Sequence, residues 1–103
     1  MYKLVFFVPQ TSIDVVKQAV FNAGAGHLGN YRECCWQVLG EGQFVPQAGS
    51  QPFLGAQGRL ERVKEYRVEM LCVGEKIHDV VAALKRAHPY EEPAFDISQL
   101  VEI

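Results

Sequence analysis

The hydrophobic pattern of this chain changes period several times, and those changes limit what it can fold into. Between Val63 and Val73, Tyr66, Val68, Met70 and Cys72 alternate with Arg67, Glu69 and Leu71. That period of two is the mark of an extended strand. Immediately after it, Ile77, Val80, Val81, Leu84 and Ala87 fall at helical spacing, and Lys85 and Arg86 suit the negative end of the helix dipole. The first third of the chain shows the same sequence of periods. Leu4, Phe6 and Val8 alternate with Lys3, Val5 and Phe7, and then Ile13, Val16, Val20 and Ala23 recur at helical spacing.

The first strand, residues 2–8, is apolar on both faces, as expected of a central strand. Thr11-Ser12-Ile13-Asp14 supplies a hydroxyl cap and a first-turn acid for the first helix, and Gly24 and Gly26 end it. Glu33 to Leu39 reads as a second strand that carries the adjacent Cys34 and Cys35. Gly74-Glu75 opens the second helix, Pro89 and Pro93 stop it, and Ala94 to Val101 forms the last strand. Residues 40–62 are irregular and rich in glycine and proline, and a connection of that length is usually functional or mobile. The order is β-α-β-β-α-β in one domain spanning residues 1–103. It predicts an α+β, ferredoxin-like sandwich: a four-stranded antiparallel sheet with two helices on one face. Because the strands are apolar on both faces, the open face needs a cover, and a second copy is the simplest one.

Bulk properties exclude several functions. The chain has 103 residues, net charge −2 and no basic run, which argues against nucleic acid as a partner. Its apolar runs are far shorter than the roughly 20 residues of a membrane span. The N-terminal stretch reads as a strand rather than a leader, having only Lys3 and no small-residue cleavage site. Three cysteines, two of them adjacent, fit a reducing cytoplasm better than a disulfide framework.

Two polar segments stand out. His88-Pro89-Tyr90-Glu91-Glu92-Pro93 places an imidazole, a phenol and two carboxylates on a proline-stiffened turn. Gly24-Ala25-Gly26-His27-Leu28-Gly29-Asn30-Tyr31 follows the first helix. Candidate ligand contacts are Gly24, Gly26, His27, Gly29, Asn30, Tyr31, His88, Tyr90, Glu91 and Glu92. Imidazole and carboxylate suit zinc and similar ions, so His27, His88 and Glu91 are candidate ligands for a divalent metal. With both loops expected at one end of the sheet, His27 and His88 would share a site. The competing reading makes both segments structural, one a helix exit and the other a helix C-cap with a shaped loop. The glycine loop follows a helix rather than opening one, so it is not a dinucleotide-binding turn. His78, off the apolar stripe, is expected to face solvent, and Trp36 and Phe44 serve either ligand stacking or subunit packing.

Taken together, GAGHLGNY at 24–31, Gly40-Glu41-Gly42-Gln43-Phe44 with Pro46, Gly49-Ser50-Gln51-Pro52-Phe53-Leu54-Gly55, Arg62 to Glu69 and Ala87 to Asp96 resemble one family. They look like the middle domain of the NGG-interacting-factor-three-like proteins, also labelled type 2 GTP cyclohydrolase I. The resemblance covers nearly the whole chain and implies a stand-alone version of that domain, with a fold similar to PII signalling proteins and CutA. It implies a homo-oligomer, a trimer ahead of a dimer, with small ligands or metals bound near subunit clefts. That family's dinuclear metal site lies in flanking domains whose motifs these residues do not contain. The resemblance therefore implies a non-catalytic ligand- or metal-binding regulatory module. A metal-assisted hydrolase working through the His88–Glu92 turn and a purely structural assembly domain are the alternatives.

Overall fold

The computed structural model describes residues 1–103. The strands are β1 (Tyr2–Pro9), β2 (Trp36–Phe44), β3 (Glu61–Cys72) and β4 (Phe95–Gln99), and the helices are α1 (Ile13–Asn22) and α2 (Ile77–Ala87). They form one antiparallel sheet in the order β2-β3-β1-β4, the expected ferredoxin-like arrangement with β1 inside.

The alternation in the sequence decides which side chains are buried. Leu4, Phe6 and Val8 of β1 and Val68, Met70 and Cys72 of β3 point to the helix side. There they pack against Ile13, Val16 and Val20 of α1 and Ile77, Val80 and Leu84 of α2. Burying each large aliphatic or aromatic side chain contributes about 1.5–3 kcal/mol, so this layer supplies most of the stability. Both helices enter through a 3-10 turn, Gln10–Ser12 before α1 and Gly74–Lys76 before α2. Ser12 stands at the N-cap of α1, but its side chain makes no capping bond. Its φ of −115° and ψ of 2° lie outside the extended region from which a cap hydroxyl reaches back.

The second strand differs from the expected one at both ends. Glu33 has φ 57°, which breaks extended backbone, so Cys34 and Cys35 precede the strand and β2 begins at Trp36. At the other end β2 runs on through Gly40 and Gly42 to Phe44, and β3 starts at Glu61. The irregular connection is thus 45–60 rather than 40–62. Pro9 of β1 pairs with Glu65, so residues 41–44 and 61–64 continue beyond β1 as a two-stranded ribbon. The last strand is shorter than expected, Phe95–Gln99. No helix is long and apolar enough to cross a membrane.

Candidate functional site

The antiparallel register separates the two polar segments. Tyr2 pairs with Cys72 and Pro9 with Glu65, so β1 and β3 run in opposite directions. The loop after α1 therefore returns at the Tyr2 end of the sheet, and the turn after α2 returns at the Pro9 end. The expected shared His27–His88 site does not form within one chain. Nor do His27, His88 and Glu91 converge as a metal set: no group of three or more His, Cys, Asp or Glu side chains is placed to hold an ion.

His88 is buried and held at both ring nitrogens. Its Nε2–H donates to the Phe7 carbonyl at 2.6 Å, and its Nδ1 accepts the Tyr90 N–H at 3.1 Å. These two bonds fix the tautomer and leave no lone pair for a metal or a substrate proton. Burial disfavours the imidazolium and lowers the His88 pKa; the Phe7 carbonyl opposes this only in part. The side chain is a clamp that joins the exit of α2 to the end of β1.

At the other end, the Gly24–Tyr31 segment is tied down mainly by its backbone. Gly26 N–H donates to the Leu71 carbonyl at 2.8 Å, and the Gly26 carbonyl accepts the Cys34 N–H at 2.8 Å. Gly26 has φ 83°, and a Cβ there would stand 2.8 Å from the Phe21 ring, so both conformation and space demand glycine. Leu28 and Tyr31 bond each other across a two-residue turn at Gly29-Asn30. His27, Asn30 and Tyr31 are exposed, and the shallow hollow beside His27 is lined by Leu28, Cys34, Cys35 and Trp36.

Tyr90, Glu91 and Glu92 contribute to a different place. They line one side of a cavity of about 420 Å³ at the Pro9 end of the sheet. The connection after β2 contributes Pro46, Ser50 and Phe53 to the lining, and the strands contribute Phe7, Phe44 and Glu65. The volume lies within the range of about 300–1,000 Å³ usual for small-molecule pockets. Gln51 N–H donates to Glu91 Oε2 at 2.9 Å, which ties the long connection to the turn. Phe44 and Tyr90 meet edge to face, with ring centroids 5.9 Å apart.

Glu65 is the site residue that sequence reasoning missed. The Tyr90 hydroxyl donates to its Oε2 at 3.4 Å. Desolvation raises the Glu65 pKa, and the Tyr90 bond offsets this only in part. Burial, and then the charge of Glu65, push the Tyr90 phenol up to about 12, so it stays a neutral donor. Gly42 makes the arrangement possible, because a Cβ there would collide with the Glu65 carboxylate. The available signal was the strand alternation itself, which places Glu65 on the open face with Arg67 and Glu69.

No protein-family profile matches the chain. It is 50% identical over 99 residues to the GTP cyclohydrolase 1 type 2 homolog of Mycobacterium tuberculosis, a match that covers 96% of this chain and 26% of that protein. A solved Bacillus cereus protein related to NIF3 superposes with a TM-score of 0.82 at 42% identity, over 98% of this chain and 26% of that one. The chain is a relative of one segment of these proteins. It spans about a quarter of their length. The PII-like protein CutA from Nostoc superposes with a TM-score of 0.67 at 14% identity, covering 97% of this chain and 81% of that one. The fold of the chain is thus the PII/CutA-like fold.

Proposed function

We propose that the chain is a non-catalytic, homo-oligomeric module that binds a small ligand in the cavity between residues 45–53 and the Tyr90–Ala94 turn. The cavity carries this reading: it is walled by aromatic rings, contains a few polar groups and lies where a long connection closes against the turn. The hydrolase alternative loses His88 as its acid/base, because both ring nitrogens are engaged by backbone, and is left with the glutamates of the turn. A metal centred on His27, His88 and Glu91 is not retained, since those residues lie at opposite ends of the sheet.

Assembly is supported by the β2 side of the molecule. β2 is an edge strand with Trp36 at 58%, Val38 at 44% and Leu39 at 43% exposure. An unpaired apolar edge is a ready template for another chain. The second copy covers Trp36 and Val38, with a trimer ahead of a dimer. The three cysteines are free, which suits the reducing cytoplasm as the location.

Two measurements test this. Light scattering should give a multiple of the chain mass, and Val38→Lys should lower it; a wild-type monomer would remove the assembly. Ligand-observed NMR with a mixture of small aromatic amines, acids and neutral compounds should detect binders. Phe44→Ala should abolish their signals, and a mixture with no binders would remove the ligand cavity.

A further inference from the structure

The charged groups around the cavity all have one sign. Glu65, Glu91 and Glu92 line it, and no Lys, Arg or His does. The ion pairs of the molecule engage Glu33, Glu41 and Glu69. None reaches the three cavity carboxylates. Gln43, Gln47 and Ser50 add neutral polar groups, and the aromatic part of the lining is Phe7, Phe44, Phe53 and Tyr90.

Building on the ligand-binding reading above, we propose that this cavity takes an organic cation: a protonated amine or guanidinium carried on a flat apolar body. The cationic head lies against Glu65 and the body lies among the rings of Phe44, Phe53 and Tyr90. Three properties of the cavity favour this class over others. A partly desolvated carboxylate with no counter-ion gains most from a positive partner, because attraction strengthens as water is excluded. Aromatic faces attract cations and also bury an apolar body. Every charged group an anion such as a nucleotide or carboxylic acid meets here has its own sign, with only the neutral Gln43, Gln47 and Ser50 to offset it, and a bare metal ion finds no converging ligand set. The raised Glu65 pKa agrees with a carboxylate that lacks its counter-ion.

Isothermal titration at pH 7 with tyramine and 4-hydroxyphenylacetate tests the proposal, since the two probes share a ring and differ in the sign of their charge. Tyramine should bind at least about tenfold more tightly than the acid, the factor that corresponds to about 1.4 kcal/mol. Glu65→Gln, which keeps the shape of the site, should weaken tyramine at least about tenfold, and added salt should weaken it in the wild type. Equal affinity for both probes, or a Glu65→Gln protein that binds tyramine unchanged, overturns the proposal. Binding of the acid that Phe44→Ala abolishes would overturn the cationic preference while leaving a ligand cavity in place. If neither probe binds and Glu65→Gln lowers the particle mass, a Lys or Arg of a second copy fills the cavity, and the proposal fails. Absence of binding with the mass unchanged overturns it as well, and removes the ligand cavity if the wider NMR mixture is also silent.

Discussion

The two polar segments of this chain look alike as sequence and behave differently as structure. At the Tyr2 end of the sheet, the Gly24–Tyr31 loop is held through its backbone, while its one imidazole, His27, stays in solvent. At the Pro9 end, the His88–Pro93 turn is held through its imidazole, while its phenol and carboxylates are released to a cavity. A polar side chain that supplies the fixing bonds is not free for chemistry, and here the groups it positions are the ones that face the cavity. Residue type alone therefore ranks His27 and His88 equally, whereas hydrogen-bond accounting separates them.

Substitution of the two histidines is the sharpest way to break this contrast. His88→Ala leaves the Phe7 carbonyl and the Tyr90 N–H without their partner, at about 1–3 kcal/mol for each unsatisfied group. A total loss of about 2–4 kcal/mol is expected in urea denaturation, against less than about 0.5 kcal/mol for His27→Ala. Similar losses for the two variants would show that the clamp does not act as described. Next in size, Gly26→Ala should cost about 1–3 kcal/mol, from positive φ plus the Phe21 ring. Gly49→Ala has φ 91° and open space around the new Cβ, so backbone strain alone should cost it about 1 kcal/mol. Equal costs would mean that the Phe21 contact relaxes freely.

Protonation gives smaller effects of opposite sign at the buried His88 and the half-buried Glu65. The His88 pKa is lowered in the folded state, so below its ordinary value of 6.5 the unfolded chain binds more protons. Its contribution is fully present above pH 6.5 and is lost as pH falls. The urea midpoint should drop between pH 7.5 and 5.5, and the drop should shrink in His88→Gln. Glu65 is raised instead, so its contribution is present below the ordinary value of 4.5 and is lost as pH rises through the folded value. Glu65→Gln should therefore raise Tm slightly at pH 7, because the neutral amide carries no desolvated charge. The gain should disappear near pH 4, and a gain that persists there would point to packing rather than charge.

Much of the fold could be read from periodicity because burial acts on alternate residues: Leu4, Phe6, Val8, Val68 and Met70 are assigned to the core by spacing alone. The mistakes come from geometry that has no local signature. Cys34 and Cys35 look like strand residues, but the left-handed backbone at Glu33 and the Cys34 bond to Gly26 keep them out of the sheet. The placement of both motifs at one end ignored the reversal of β3 relative to β1, which sends the two helix exits to opposite ends. Tyr90, Glu91 and Glu92 were legible because a proline-bounded cluster is unusual. Glu65 was not, because a single carboxylate in an alternating strand resembles any solvent-facing residue. Only the missing Cβ of Gly42, diagonal to it in the β2–β3 pair, reveals the space it uses.

The bond from Gln51 to Glu91 joins two stretches that are 40 residues apart in the chain. Glu91 is also one of the carboxylates lining the cavity, so the bond that fastens the long connection belongs to the cavity wall. One side chain is thereby both lining and anchor, and the outer surface of the connection depends on the cavity wall behind it.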